Sequence, residues 1–280
     1  MKKINLLALG LCMAALFSCG KDDSDTPGGG ANTEKVKISA IWEHTTHYYE
    51  ESTNGGNSWH VIGSEYQDEY KEKSLSWDGN RLSCITEHYS FGGEYNYNFL
   101  YNEDGRISEI IYGDIKLEVE YDDNRISRIG DSDEYMYVTY SNDKITKMGA
   151  TDDGENHLFE LEFEWSGDNL TKSAGYYDDE MDFVSRFQSY DNGNNPYYGQ
   201  DWALPYLLLS DDYEYWAFKL SANNCTSSNI VGVLVTYEYS YNSKNYPTVV
   251  VETWTSEPSE YDGVLHRSKH ARTYTYEYVD

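Results

Sequence analysis

The chain is short of positive charge. Its 21 Lys and Arg face 49 Asp and Glu, a formal net charge of −28. A surface of that sign is repelled by nucleic acid and by anionic membranes, which excludes nucleic-acid binding. Acidity alone accounts for the solubility of a surface-exposed protein. Cysteine is scarce too, with four in 280 residues. Cys12 and Cys19 lie close to the N-terminus, leaving Cys84 and Cys225, which are 141 residues apart. Two cysteines give no disulfide framework; they stand either as one disulfide or as two buried thiols. The apolar run Ile4 to Phe17 stops short of the roughly 20 residues that a membrane-spanning helix needs. Sustained helical periodicity is missing from the region of the repeats described below.

The N-terminus has the three parts of a secretory leader. Lys2 and Lys3 are the positive region, Ile4 to Phe17 the apolar region, and Leu16-Phe17-Ser18-Cys19 the cleavage site. A small residue before Cys at the end of a short apolar region resembles a lipobox, with Phe17 bulkier than usual at its position. The alternative is an ordinary cleaved leader with an incidental Cys. Cleavage before Cys19 makes it the lipidation site. Acyl chains then hold the protein on a membrane, at about 0.8 kcal/mol per buried CH₂. Gly20-Lys21-Asp22-Asp23 resembles the acidic export tag of surface lipoproteins in some gut anaerobes, which implies the outer face of the outer membrane. Residues 1–18 are therefore assigned to the leader. Residues 19–35, rich in Gly, Asp, Ser and Thr, form a flexible tether. Loss of Lys2 and Lys3 with the leader takes the charge from −28 to −30.

Aromatic residues are abundant: 29 Tyr, 7 Trp and 8 Phe. A chain so rich in them folds. Residues 36–280 are enough for one large β domain, and the range is assigned to one. Its clearest signal is a repeat: Trp77-DGNR-Leu82, Tyr101-NEDGR-Ile107, Tyr121-DDNR-Ile126, Tyr140-SNDK-Ile145 and Trp165-SGDN-Leu170. An aromatic, a polar turn and an aliphatic recur at spacings of 24, 20, 19 and 25 residues. Asp, Asn and Gly reverse a chain readily because they tolerate positive φ. The spacing predicts hairpins with loops of four or five residues and strands of five to seven. Phe159-Glu-Leu161-Glu-Phe163-Glu-Trp165 alternates with period two, the mark of a sheet with one covered and one wet face. After each turn a second apolar residue follows three positions on (Ile85, Ile110, Ile129, Met148; Ser173 in the fifth copy), a step that marks a bulge. A weaker copy is Tyr190-DNGNNP-Tyr197. In the apolar segment 199–217, Pro205 limits any helix to its first turn or a break.

Units such as Tyr101-NEDGR-Ile107 resemble the YD repeats of RHS-type proteins. Further pieces are Tyr190-Asp191, Asn195-Pro196-Tyr197, Ser221-Ala222-Asn223-Asn224, Tyr237-Glu-Tyr239-Ser-Tyr241 and Tyr246-Pro247-Thr248. With the lipobox and the repeats, their order resembles a family of anaerobe surface lipoproteins of unknown function described as having a porin-like fold. The resemblance spans roughly residues 75–250 and implies a curved antiparallel meander rolled towards a barrel. It supplies no catalytic residues. Strands shorter than the about 9–11 residues of a transmembrane barrel, and a redundant lipid anchor, favour a soluble all-β sheet over a membrane-embedded one.

Chemistry is sparsely signalled. His44 and His47, three apart on a strand, point to opposite faces and do not converge on a metal; His266 and His270 are similar. Acidic clusters at Asp131-Ser-Asp133-Glu134, Asp152-Asp153-Gly154-Glu155 and Asp178-Asp179-Glu180 do not match the EF-hand spacing and leave room for a weak calcium site only. No cofactor is implied. No pair of carboxylates stands out for glycoside hydrolysis, and no nucleophilic triad has a local signature. Exposed aromatics remain as the binding chemistry. Of Trp59, Trp202, Trp216 and Trp254, which lie outside the repeats, Trp202 in its irregular segment is the candidate ligand-stacking ring. The sequence thus reads as a binding module for a glycan or other extracellular polymer. An interaction subunit of an outer-membrane assembly comes second and a hydrolase third.

Overall fold

The structure is a computed structural model and describes residues 36–131, 134–151, 157–177, 180–209 and 217–279. The leader, Cys19, the tether, Trp216 and the acidic clusters around Asp152 and Asp178 lie outside the described residues. The strands in chain order are β1 (Ile38–Ser52), β2 (His60–Asp78), β3 (Arg81–His88), β4 (Glu94–Tyr101), β5 (Ile107–Tyr112), β6 (Ile115–Asp122), β7 (Arg125–Gly130), β8 (Tyr135–Ser141) and β9 (Lys144–Thr151). They continue with β10 (His157–Ser166), β11 (Asn169–Tyr177), β12 (Glu180–Asn194), β13 (Asn223–Ile230), β14 (Val233–Tyr241), β15 (Pro247–Thr255), β16 (Ser259–Tyr261) and β17 (Val264–Tyr278). Each pairs antiparallel with its neighbour in sequence, except that β15 pairs with β17 rather than with β16, and β17 returns to pair with β1. β16 follows β15 end to end along β17, so sixteen strands close the ring. A closed barrel has no sheet edge where its pairing is complete.

The registers explain the repeat. Ser76 pairs with Cys84 but Trp77 with Leu82, so Ser83 has no opposite number. The same one-residue bulge recurs at Ser108, Ser127, Thr146 and Thr171. It turns both Leu82 and Ile85 inward, and likewise Ile107 with Ile110 and Ile126 with Ile129, all buried. In four of these bulges the hydroxyl donates to a carbonyl across the hairpin: Ser83 to Ser76, Ser108 to Leu100, Thr146 to Thr139 and Thr171 to Glu164. The β4–β5 loop keeps its five residues, 102–106, but other repeat turns are tighter than the spacing predicted. Asp122 pairs with Arg125 across Asp123 and Asn124, at φ 46° and 70°, and Ser141 with Lys144 across Asn142 and Asp143, at 49° and 63°. Positive φ at both central residues makes two-residue hairpin turns whose twist matches that of the strands. In these tight turns the remaining polar residues belong to the strand ends; β5, β7 and β8 have the predicted six or seven residues, while other strands run longer, to 19 residues in β2.

Each repeat aromatic fastens its hairpin to the preceding one. Its donor reaches the carbonyl of the previous aliphatic: Trp77 to Ile38, Tyr101 to Leu82, Tyr121 to Ile107, Tyr140 to Ile126, Trp165 to Ile145 and Tyr190 to Leu170. Tyr239 to Cys225 and Tyr278 to Pro247 carry the ladder around the ring. The basic residue before each aliphatic lies over the next aromatic: Lys37 on Trp77, Arg81 on Tyr101, Arg106 on Tyr121, Arg125 on Tyr140 and Lys144 on Trp165, at 4.9 to 5.9 Å.

A sixteen-strand ring is too wide for its own side chains to fill. The described residues between β12 and β13, 195–209 and 217–222, fill it. Ala203–Leu207 forms a short helix, α1, with Pro205 in its first turn, where a missing N–H has no intrahelical partner to lose. Residues 203–209 and Ala217–Leu220 are all buried. The plug packs on β2, β4, β12 and β14: Trp202 against Trp77, Tyr206 against Tyr97, Phe218 against Phe187 and Tyr237. Asn195 fixes its base, its amide donating to the carbonyls of Lys219 and Ser221 at 3.0 and 2.8 Å. Asn194 N–H donates to Asn245 and Asn223 to Gly193, so the Asn-Pro-Tyr, Ser-Ala-Asn-Asn and Tyr-Pro-Thr segments meet at one end of the barrel.

Outward faces are charged. On β6, Lys116, Glu118 and Glu120 face out while Leu117 and Val119 are buried; on β10, Phe159, Leu161 and Phe163 are buried and the glutamates between them face out. A barrel embedded in lipid needs the reverse, an outward apolar band. No helix among the described residues is long and apolar enough to cross a membrane.

Candidate functional site

The hairpin connections alternate between the two ends of the barrel. One end holds the repeat turns and the base of the plug. At the other, β3 and β4 are joined by residues 89–93. Tyr89 N–H bonds Gly93 O, and Gly92 N–H bonds Tyr89 O, closing a turn in which Gly92 and Gly93 take φ 89° and 109°. Only glycine adopts such values without strain. His88 anchors the hairpin, with one ring nitrogen 2.9 Å from Ser74 Oγ and the other 3.0 Å from Glu94 Oε1. Tyr95 and Tyr97 alternate with asparagines on β4 and so share a face.

The result is a continuous run of rings from core to solvent. Trp202 packs on Tyr206 at 6.3 Å between centroids, Tyr206 on Tyr97 at 5.6 Å, and Tyr97 on Tyr112 at 4.8 Å with planes 8° apart. Tyr112 meets Tyr95 at 5.4 Å, Tyr95 meets Tyr89 at 5.6 Å, and Tyr89 stacks on Phe91 at 5.2 Å. The inner rings are buried, 3% exposed at Trp202 and 5% at Tyr97, and the outer ones open, 46% at Tyr95, 37% at Tyr89 and 86% at Phe91. The inner rings are locked: Tyr206 and Tyr97 both donate to the Glu87 carboxylate, at 2.6 and 3.2 Å. An exposed ring held by buried ones loses little entropy when it stacks on a ligand.

Trp202, the ring singled out from sequence, therefore lies at the buried root of this run and presents no open face. Its segment was expected to be a binding loop; a wide barrel needs filling, and the segment is the plug. Trp59 packs against Arg267 at 4.0 Å. Trp254 stacks on His270 at 4.9 Å, with His47 edge-on to His270. His44 sits by Tyr66, on the face opposite His47, so the two histidines do not converge. Asp131 and Glu134 close the β7–β8 turn on each other. Cys84 and Cys225 are both free thiols. Cys84 lies beside Thr86 and Asn96, whereas Cys225 is buried with its thiol on the Ser227 carbonyl, and burial pushes it up to about 12.

A second cluster of functional groups faces the lumen. Arg272 lies between Glu43, 3.5 Å from Nε, and Glu252, 3.9 Å from its terminal nitrogen. Burial raises both carboxyl groups above the usual range, with Arg272 pulling each back down. Glu252 lines a cavity of about 30 Å³ with Lys219, Tyr237, Tyr274 and Tyr276. That volume takes a water molecule or two and no sugar ring.

No known protein family matches the chain, and no curated protein does. Among solved structures, a porin-like protein from Bacteroides uniformis ATCC 8492 superposes with a TM-score of 0.52 at 11% identity, over 87% of this chain and 99% of that one. At that identity the likeness shows the fold: a porin-like antiparallel barrel.

Proposed function

We propose that the chain is an outer-membrane-anchored surface lipoprotein whose barrel binds a glycan or other extracellular polymer at the open rim. The observation that carries this reading is the run of rings ending in Tyr95, Tyr89 and Phe91. Flat, preordered aromatic faces stack on sugar rings and need no charge from a chain as acidic as this one. The charged outward faces of β6 and β10 are those of a barrel that stands in water. Anchoring through Cys19 and the 19–35 tether supports that placement.

A polysaccharide panel titrated against the protein, followed by intrinsic fluorescence and calorimetry, tests the reading. Phe91→Ala and Tyr95→Ala each weaken binding about tenfold, the 1.4 kcal/mol of one lost stacking partner, with no change in melting temperature. Affinity untouched by both substitutions removes the rim from consideration. Labelling with radioactive palmitate, lost in Cys19→Ser, tests the anchor. A second reading, as an interaction subunit, has one observation in its favour. Val231, Val233 and Leu234 at the β13–β14 tip are 50%, 39% and 54% exposed. Crosslinking on intact cells through that tip tests it.

A further inference from the structure

We propose that the free edge of β2 is a docking site for an extended, lysine- or arginine-bearing strand of a partner protein. β2 pairs with β1 from His60 to Ser74 but with β3 only from Lys73 onward. Residues 60–72 therefore carry no second strand among the described residues. At about 3.3 Å per residue this is an edge roughly 40 Å long. On the opposite margin of the same ribbon the chain supplies its own cover, since β16 pairs with Val264–His266 of β17. Among the described residues β2 has no such cover.

The edge is competent to pair. It contains no proline, so each residue brings both a backbone donor and an acceptor, and alternate residues turn theirs outward. Val61, Ile62 and Tyr66 are 58%, 57% and 61% exposed and lie beside the unpaired backbone. An incoming strand has hydrogen bonds to complete and apolar side chains to cover, which is the recognition mode of strand addition.

Charge chooses the occupant. Glu65, Asp68 and Glu69 are exposed on this stretch, while Glu72 is ion-paired with Lys73; the one base among residues 60–72, Lys71, already has its ammonium over the Trp42 ring at 4.9 Å. A second copy would bring the same three exposed acids to the same seam, in a chain of net charge −28. Like charges placed across strands are unfavourable. Edge acids commonly guard an exposed strand against its own kind. That protection rejects another copy, and the same charges attract a basic strand.

The test uses the full chain and a capped nine-residue peptide alternating lysine and valine. Its controls are the glutamate–valine counterpart and the lysine peptide N-methylated at every second residue. Backbone hydrogen exchange is read by mass spectrometry. The lysine peptide is expected to protect residues 60–72 selectively. N-methylation, which removes the donors without changing charge, is expected to weaken binding at least tenfold. Glu65→Lys with Glu69→Lys, both at exposed positions, is expected to reverse the preference between lysine and glutamate peptides. Protection spread over other acidic surfaces, or equal binding by the N-methylated peptide, overturns the proposal in favour of nonspecific attraction. Sedimentation showing a dimer that Ile62→Lys abolishes overturns it in favour of a second copy.

Discussion

Replacing Tyr140 by Phe removes one hydroxyl and leaves everything else on that rung of the ladder in place. The phenol donates to the Ile126 carbonyl at 3.0 Å, across the bulge that follows the β6–β7 turn. The ring keeps its packing and stays under the Arg125 guanidinium at 4.9 Å, which in turn pairs with Asp143 at 3.0 Å. What is lost is one hydrogen bond, and what is left is a half-buried carbonyl without its donor. An unsatisfied group of this kind costs about 1–3 kcal/mol, and partial access to water places this one near the lower end, at about 1–1.5 kcal/mol. For a folded unit of this size, that lowers the melting temperature by roughly 2–6 °C. Tyr140→Ala also removes the ring and is expected to cost roughly 3–5 kcal/mol, the range for aromatic truncation in a core. Urea titration measures both, with an unchanged slope and a shifted midpoint. Tyr121→Phe and Tyr101→Phe make the same hydroxyl deletion on other rungs and should give similar values. If all three Phe variants fall within about 0.5 kcal/mol of the parent, as ordinary surface substitutions do, the ladder is not what fastens hairpin to hairpin.

Gly175→Ala would place a Cβ 2.1 Å from Phe183 Cε1 on the neighbouring strand; overpacking of this kind costs about 1–3 kcal/mol, and calorimetry should show the loss shrinking when Phe183→Ala is added. Trp202→Ala is expected to destabilise by roughly 3–5 kcal/mol through the cavity it opens in the plug, while rim affinity measured well below the melting transition persists. Burial, then His47 and Arg272, holds His270 below its ordinary value, so the folded state binds fewer protons than the unfolded one just below pH 6.5. Stability due to this group is therefore full above pH 6.5 and falls as the pH drops through the folded value. His270→Phe should flatten that part of the stability–pH curve, and an unchanged curve would refute the assignment. Maleimide labelling located by mass spectrometry should modify Cys84 in the native protein and Cys225 only after unfolding, because the second thiol is buried and its pKa is pushed up to about 12.

Local chemistry was legible and its partners were not. The step of three from Leu82 to Ile85 is readable as a bulge because alternation fails at that point, and Ser83 occupies the extra position. The polar pairs Asp123-Asn124 and Asn142-Asp143 announce turns because few other residues accept φ near +50° twice in succession. By contrast, nothing in Tyr121 or Tyr140 names the carbonyl that its hydroxyl will reach, since that contact is fixed by the neighbouring hairpin. The plug was misread for a related reason. A dense apolar stretch with Pro205 has no period of its own, and its role appears only once sixteen strands enclose a space larger than their side chains fill. The rim was missed because Tyr89, Phe91 and Tyr95 look like any other strand aromatics in a chain with 29 Tyr. The two glycines at 92 and 93 were the available signal that this turn displays what it carries.

The seam between β1 and β17 imposes an order on assembly. Every other pairing in the ring joins strands that are neighbours in sequence, apart from β12 and β13, which the plug separates, and β15 and β17, which β16 separates. Those contacts can zip one after another as the polypeptide emerges. β1, the earliest strand, must wait with one side open until the last one arrives, across about 240 residues whose closure costs about 5 kcal/mol in chain entropy. The long register from Ile38–Tyr278 to Ser52–Leu265 offsets that cost in a single late step. Loss of the final strand would thus leave most hairpins able to form and two raw margins exposed, a species prone to self-association that no amount of local strengthening would cure.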